Sequence, residues 1–162
     1  MKGIVVYDSY YGNTKTVAEA IAEELEAEGY EAELRCVRDR ESSPPQGDIL
    51  FLGSPVRMGS VTGRIKRYAK NLDAGEWRNK PLIVFTTILE LPENPTDDQL
   101  QSHEKYDLGA GRKLRDLARS RGIDAAENHL AVGVQGMKGP LIEHGVAQAR
   151  EFTRDALLVA AR

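Results

Sequence analysis

Short runs of consecutive apolar residues alternate along the chain with longer segments in which apolar residues recur every three or four positions. Three of the short runs, Ile4–Tyr7, Ile49–Leu52 and Leu82–Phe85, contain no charged or strongly polar residue. Continuous runs of this length are typical of parallel strands that are buried on both faces. Apolar and polar positions are mixed in two further segments, Glu31–Val37 and His129–Val134. This pattern predicts strands at the edges of the sheet, with one face exposed to solvent.

Four other segments show helical periodicity. In the first, Val17, Ile21 and Leu25 recur every four residues, and Gly29 predicts the end of the helix. The remaining three carry similar apolar stripes and lie after the third, fourth and fifth predicted strands. These predicted helices are Gly63–Leu72, Leu108–Arg121 and Ile142–Val159.

The crossover between the second and third predicted strands differs from the others. Arg38–Gly47 is rich in Ser, Pro and Gly and has no apolar stripe, so we expect a loop with at most one helical turn. Strands interleaved with helices predict an α/β fold, a three-layer sandwich around a five-stranded parallel sheet. Right-handed crossovers and amphipathic edge strands favour the strand order 2-1-3-4-5. At 162 residues the chain suits one domain, which we expect to span residues 1–162.

In this strand order a ligand crevice opens where the first, third and fourth strands end. The segments expected there are Asp8–Thr14, Gly53–Gly59 and the residues from Thr86 onward. Each of them is polar or contains glycine, unlike the apolar strands that precede them. The sequence therefore predicts a ligand site at this edge of the sheet.

The first of these segments has the composition of a phosphate-binding loop. Ser9, Tyr11, Asn13 and Thr14 offer side-chain donors, and Gly12 permits a tight turn just before a helix. A phosphate at that helix N-terminus would meet free N–H groups and the positive end of the helix dipole. The alternative is that Ser9 or Asn13 simply caps the helix. No GxGxxG and no GxxxxGK[ST] is present, which argues against a dinucleotide or nucleoside triphosphate.

Three segments resemble the flavodoxin family. Ser9–Thr14 (SYYGNT) is similar to the [ST]-x-[ST]-G-x-T loop that holds the phosphate of FMN in flavodoxins, with Tyr11 where a second Ser or Thr is usual. Gly53–Ser60 (GSPVRMGS) is similar to the loop after the third strand in short-chain flavodoxins. Tyr106–Gly111 (YDLGAG) is similar to the segment after their fourth strand. The resemblance implies a flavodoxin-like fold and FMN as cofactor.

The resemblance also implies which residues hold the flavin, in the loops after strands 1, 3 and 4. It assigns no metal ligand, and the catalytic residues, if there are any, stay unassigned. The cofactor-binding residues predicted in this way are Ser9, Tyr10, Tyr11, Gly12, Asn13, Thr14, Ser54, Pro55, Val56, Arg57, Met58, Gly59, Thr86 and Thr87.

The chain departs from the flavodoxin pattern after the fourth strand. Ile88–Lys105 is long and rich in Pro, Glu and Asp, and we expect a loop there. Glu104 stands roughly where flavodoxins place a stacking Tyr or Trp, with His103 and Tyr106 nearby. Arg57, in the second loop, is either a solvated charge or a contact to the flavin edge or to an anionic substrate.

Three functions from different classes fit these features. The favoured one is an FMN-binding electron carrier that serves redox partner proteins. The second is an FMN-dependent oxidoreductase acting on a small quinone-like substrate, either a quinone reductase or a relative of menaquinone-dependent protoporphyrinogen dehydrogenases, whose GSP-x-R-x-G loop Gly53–Gly59 also resembles. The third is a fold relative that has lost FMN and serves as a binding module.

Composition narrows the class of partner. The formal net charge is −3, which argues against nucleic acid as the main partner. The N-terminal stretch MKGIVVYDS has only about four apolar residues in a row, which we expect to be too short for a signal sequence or a membrane span. The single cysteine, Cys36, cannot form an internal disulfide and fits a reducing, cytoplasmic environment. His129 and His144 are interpreted as structural residues.

Overall fold

The computed structural model describes residues 1–41 and 43–161. These residues form parallel strands that pair in a single twisted sheet. The strands are β1 (Lys2–Tyr7), β2 (Glu31–Cys36), β3 (Ile49–Pro55), β4 (Pro81–Leu89), β5 (Asp124–Ala125) and β6 (Leu130–Val134).

The strand order is β2-β1-β3-β4, and both β5 and β6 pair with the far side of β4. The short strand β5 pairs with Pro81 and Leu82 at the start of β4, whereas β6 pairs with Phe85 to Leu89 further along. The predicted order 2-1-3-4-5 is confirmed, with β6 as the predicted fifth strand. The additional strand β5 was not predicted, because two residues are too few to show a periodicity.

Helices cover both faces of the sheet, as predicted for a three-layer sandwich. Helices α1 and α6 pack on one face, and α2 and α5 pack on the other. The two short helices α3 and α4 were not predicted, and a single π-helical turn, His103–Asp107, joins α4 to α5. The helices are α1 (Asn13–Ala27), α2 (Gly63–Asn71), α3 (Ala74–Trp77), α4 (Asp97–Ser102), α5 (Leu108–Ser120) and α6 (Gly145–Ala160).

The hydrophobic core is divided in two by the sheet. Side chains of β1 alternate between the two halves, so that Ile4 and Val6 pack towards α2 and α5 while Val5 packs towards α1 and α6. Burial on both faces is the reason why β1, β3 and β4 read as continuous apolar runs. No helix within residues 1–41 and 43–161 is long and apolar enough to cross a membrane.

The crossover from β2 to β3 has no helix in its described residues, as predicted. It returns to the sheet through Asp48, whose carboxylate accepts a hydrogen bond from the Lys2 N–H at 2.7 Å. The backbone N–H of Asp48 donates in turn to the carbonyl of Lys2 at 2.8 Å. These bonds hold the crossover against the start of β1 without a packed helix.

The prediction of one long loop over Ile88–Lys105 is wrong in part. Strand β4 continues to Leu89, and α4 begins after Thr96. Thr96 and Gln99 form a capping box, with the Gln99 N–H donating to Thr96 Oγ1 at 3.1 Å and the Thr96 N–H donating to Gln99 Oε1 at 2.8 Å. The helix buries no residue, so it has no apolar stripe that the sequence could have shown.

Candidate functional site

A cavity of about 500 Å³ lies at the carboxyl edge of the sheet, where the strands end. This position agrees with the prediction from the strand order, and the volume lies within the range typical of small-molecule and cofactor sites. The cavity is lined by Ser9, Tyr10, Tyr11, Asn13, Thr14, Pro55, Val56, Arg57, Met58, Gly59, Thr87, Leu89, Asp107, Val134 and Met137.

Eleven of the fourteen predicted cofactor-binding residues therefore line one cavity, and three do not. Ser54 is buried beside it, where its hydroxyl accepts a hydrogen bond from the Thr62 N–H at 2.9 Å. Thr86 is fully buried within β4 and its hydroxyl donates to the Leu130 carbonyl at 3.4 Å. Gly12 carries no side chain towards the cavity but shapes the first loop.

The first loop turns sharply at Gly12, which is the N-cap of α1. Its φ of +92° is in the left-handed region, where residues with a side chain are disfavoured. The Gly12 N–H donates to Ser9 Oγ at 3.0 Å, and the Gly12 carbonyl accepts from the Thr16 N–H at 3.0 Å. The turn thus begins α1 directly beneath the cavity.

The N-terminus of α1 has no side-chain cap. Within the part of the chain that the structure describes, the N–H groups of Tyr11, Asn13, Thr14 and Lys15 donate to no acceptor. Neither Ser9 nor Asn13 caps the helix, so the alternative interpretation of these residues as a simple cap is not what the structure shows. Free N–H groups at the positive end of a 15-residue helix form a site suited to an anion.

A buried hydroxyl pair connects the first loop to the fourth strand. Thr14 Oγ1 and Thr87 Oγ1 lie 2.7 Å apart, and both residues are at least 95% buried. Since both also line the cavity, the pair fixes the spacing between the helix N-terminus and the end of β4.

The second loop is a tight hairpin turn at the entrance of the cavity. The Arg57 N–H donates to the Ser60 carbonyl at 2.9 Å, and the Ser60 N–H donates to the Arg57 carbonyl at 3.0 Å. Between them, Met58 and Gly59 both have positive φ, 52° and 73°, which is the signature of a type I′ turn. Met58 is fully exposed at the tip of this turn.

Tyr10 lies between two arginines at the same entrance. The guanidinium carbons of Arg38 and Arg57 are 4.6 Å and 4.5 Å from the centroid of its ring. Arg38 is held in turn by Asp8, a fully buried carboxylate whose Oδ1 accepts from Arg38 Nε at 2.7 Å. That hydrogen bond raises the pKa of the Arg38 guanidinium. The chain Asp8–Arg38–Tyr10–Arg57 therefore fixes a positive charge beside the cavity.

The π-helical turn before α5 contributes to the other side of the second loop. Its Tyr106 packs against Gly59, where an added Cβ would come within 3.0 Å of the Tyr106 Cβ. The neighbouring Asp107 lines the cavity, and its carboxylate lies 3.3 Å from His103 Nδ1. Of the two residues noted near the expected aromatic position, Tyr106 is the one that reaches the second loop.

A fourth segment borders the cavity and was not predicted. After β6, the residues 134–139 run beside the first loop, where Met137 lines the cavity and Lys138 lies over the Tyr11 ring at 5.8 Å. An added Cβ at Gly139 would come within 2.4 Å of the Asn13 amide, so the two segments are in close contact. The glycine-rich stretch after the fifth strand was the available clue, since it ends at the same edge of the sheet.

The cavity is bordered by an unusual number of exposed apolar and aromatic side chains. Five of its lining residues are large and at least 40% exposed. Exposed apolar side chains that converge on one concavity indicate a ligand or a partner. These five are Tyr10, Tyr11, Met58, Leu89 and Met137.

His129 lies away from the cavity and packs against α5. An added Cβ at Gly111 would come within 2.5 Å of the His129 ring, which explains the glycine. Burial lowers the pKa of His129, and the positive charges of Arg112 and Arg115 lower it further. The ring therefore packs against α5, which supports its interpretation as a structural residue.

The chain resembles known proteins in both its sequence and its fold. A family model described as "Flavodoxin domain" matches residues 4–126. A flavodoxin of Aquifex aeolicus (strain VF5) is 36% identical over 78 residues, which are 47% of this chain and 42% of that protein. The flavodoxin FldP of Pseudomonas aeruginosa (strain UCBPP-PA14) is 32% identical over 102 residues, 56% of this chain and 52% of that protein. The matches thus span about half the length of these curated relatives.

The likeness in fold extends over the whole chain. The structure of a flavodoxin from the domain Archaea superposes with a TM-score of 0.71 and covers 100% of both chains. Its sequence identity is only 16%, so this likeness concerns the fold alone.

Proposed function

Because the chain belongs to the flavodoxin family, whose cofactor is FMN, we propose that it is an electron carrier that binds FMN in the cavity described above. One observation carries this proposal. The uncapped N-terminus of α1 opens onto a cavity of about 500 Å³ that is bordered by exposed aromatic and sulfur-containing side chains. Such a site offers an anion-binding end and an apolar end, as a phosphorylated flavin requires.

The phosphate end would be formed by the first loop. The free N–H groups of Tyr11, Asn13, Thr14 and Lys15, together with the Ser9 hydroxyl, are the donors of this region. The dipole of α1 adds about 0.3–1 kcal/mol of favourable interaction with an anion, and up to about 2 kcal/mol where the site is partly buried. The first loop itself contains no Lys or Arg before Lys15, so hydrogen bonds and the dipole would hold the phosphate.

The ring end would be formed by the apolar side chains that the other segments bring together. Val56 and Met58 come from the second loop, Leu89 from β4, and Met137 from the segment after β6. Apolar walls with a few polar groups are the usual lining of a cofactor pocket. Bound there, FMN supplies reversible electron uptake and release, and the protein supplies its orientation and its access to partners.

Redox proteins are the proposed partners. The second candidate function is an FMN-dependent oxidoreductase that acts on a small quinone-like substrate. The observation that favours this second candidate is Arg57, an exposed side chain that lines the cavity with its guanidinium carbon 4.5 Å from the centroid of the Tyr10 ring. A cation at this position could stabilise the negative charge that a quinone-like substrate gains on reduction.

The test is a titration of the purified protein with three flavins, followed by absorbance and by quenching of flavin fluorescence. FMN should bind, riboflavin should bind more weakly because it lacks the phosphate, and FAD should bind more weakly because the first loop provides a single phosphate site. Riboflavin binding as tight as that of FMN would contradict the role of the α1 N-terminus. No spectral change with any flavin would support the third function considered, a fold relative that has lost FMN and serves as a binding module.

A further inference from the structure

The solvent-facing side of α2 carries only positive charge. Four of its nine residues are Lys or Arg and none is acidic. All four are exposed, and within residues 1–41 and 43–161 none of them forms an ion pair. The formal net charge of the whole chain is −3, so this is a local excess of the opposite sign. We call these four residues the α2 patch: Arg64, Lys66, Arg67 and Lys70.

The α2 patch adjoins the cavity through the second loop. Lys66 Nζ donates to Ser60 Oγ at 2.7 Å, which fastens the helix to the hairpin turn. On the other arm of that turn, Arg57 lines the cavity, and Met58 is fully exposed between them. Positive charge therefore continues from α2 to the cavity entrance, with an apolar side chain at its centre.

A groove of about 520 Å³ lies beside α2 on the same surface. Arg64 and Arg67 line this groove together with Pro44 and Pro45 of the crossover. Tyr68 forms part of the same lining and donates from its hydroxyl to Glu41 Oε1 at 2.6 Å. Glu41 also lines the groove, but its carboxylate is already paired with Arg35 at 3.2 Å. A second carboxylate entering the groove would meet the guanidinium groups of Arg64 and Arg67, which bind carboxylates with charge-assisted hydrogen bonds.

The rim of the cavity on the α4 side is acidic. Leu89 and Asp107 line both the cavity and a second groove, which also contains Glu90 and Asp98. The surface around the cavity is thus positive on the α2 side and negative on the α4 side. A partner that docks over the cavity is oriented by this separation of charge.

We propose that the α2 patch, together with Arg57 and Met58, is the docking surface for an acidic redox protein. This inference rests on the proposed function and names its class of partner. Complementary charge steers a transient complex into position and lets it separate quickly, which suits electron exchange. The negative rim and the net charge of −3 disfavour a nucleic acid, because a long polyanion would also lie against the acidic side.

The experiment compares two variants of equal net charge. Arg64→Glu/Arg67→Glu reverses two charges of the α2 patch, and Arg78→Glu/Arg121→Glu reverses two exposed charges that lie at the ends of α3 and α5, before β4 and β5 begin. None of these residues lines the cavity. FMN uptake by each variant is measured first, so that loss of the cofactor is distinguished from loss of docking.

The probe is an acidic plant-type [2Fe–2S] ferredoxin. Binding of the oxidised ferredoxin is measured by calorimetry, and reduction of the flavin by reduced ferredoxin is measured by stopped flow, one electron leaving the cluster and entering the flavin. At low salt the patch variant should bind and react about tenfold or more weakly than the unmodified protein, whereas the control variant should change by less than about threefold. At about 0.5 M salt the three proteins should converge, because the Debye length is then only a few ångströms.

Three results would overturn the proposal. The two variants could lose ferredoxin binding equally, which would mean that net charge and not the α2 patch matters. The patch variant could keep full binding at low salt. A 20-base-pair DNA duplex could bind more tightly than ferredoxin at the same salt and be released by the patch variant, which would identify a nucleic-acid surface. In each case normal FMN uptake would leave the proposed function standing.

Discussion

Replacing Gly12 with alanine should weaken FMN binding because this residue sets the direction of the free N–H groups of α1. Gly12 has a φ of +92°, and an added Cβ at this position would meet no atom within 4 Å. The substitution therefore causes no steric clash, and its effect comes from backbone conformation alone. An alanine in the left-handed region is disfavoured by about 1–2 kcal/mol relative to a right-handed conformation.

The size of the change in FMN affinity depends on how the loop relaxes when no clash is present. No neighbour holds the methyl group in place, so the loop of the variant relaxes towards negative φ and turns the N–H groups of Asn13 and Thr14 away from the cavity. Binding must then restore the original turn. A penalty of about 1–2 kcal/mol corresponds to an FMN dissociation constant that is about five- to thirtyfold higher.

A matched control lies at the other end of the same helix. Gly29 follows α1, has a φ of +89°, and an added Cβ there would also meet no atom within 4 Å. Gly29→Ala should lower the free energy of unfolding by a similar amount, about 1–2 kcal/mol, while leaving the FMN dissociation constant unchanged. FMN affinity is measured by fluorescence quenching and stability by urea denaturation of the protein without added flavin.

Two outcomes would contradict this prediction. If Gly12→Ala binds FMN with a dissociation constant within twofold of the unmodified protein, while Gly29→Ala is destabilised as expected, the turn at Gly12 does not control the anion site. If Gly29→Ala weakens FMN binding as much as Gly12→Ala, the effect is one of general stability.

Three further predictions concern charges. Arg38→Ala should lower the free energy of unfolding, measured in urea, by about 1–3 kcal/mol, because it leaves the fully buried Asp8 carboxylate without its ion pair. Adding Asp8→Asn should recover part of this loss, and no recovery would contradict the prediction. Burial and two neighbouring arginines lower the pKa of His129 below its unfolded value of about 6.5, so its contribution to stability is present above that pH and is lost as the pH falls further. His129→Asn should therefore flatten the dependence of the free energy of unfolding on pH between about pH 7.5 and 5.5. An unchanged pH dependence would refute the assignment. For an electron carrier, Arg57→Ala should alter electron exchange only at low salt; a quinone turnover that falls at every ionic strength would instead support the oxidoreductase.

The strands and helices that pack on the core were predictable because each has a local pattern. Ile4–Tyr7 reads as a buried strand since both of its faces are covered, and the stripe from Val17 to Leu25 reads as a helix since one side faces the sheet. The strand order followed from connection rules, and it located the ligand edge of the sheet. Elements that bury little were missed for the same reason, as α4 shows by burying no residue at all.

The first loop was recognisable because its chemistry is contained in six consecutive residues, Ser9–Thr14. Hydroxyls, an amide and one glycine stand directly between a strand and a helix, and this order follows from the covalent chain. The second loop was found in the same way, although its type I′ turn depends on Met58 adopting a positive φ that no sequence rule favours for methionine.

The remaining parts of the site arise from contacts between residues that are distant along the chain. Met137 and Lys138 reach the first loop because β6 runs parallel to the second half of β4 and therefore ends at the same edge of the sheet as β1. Arg38 and Arg57 enclose Tyr10 because the ends of β2 and β3 flank the end of β1 in the sheet. Local periodicity carries no information on such pairings. They depend on strand register and on the route of each loop after the sheet is assembled, which is why the phosphate end of the site could be read from consecutive residues and its charged entrance could not.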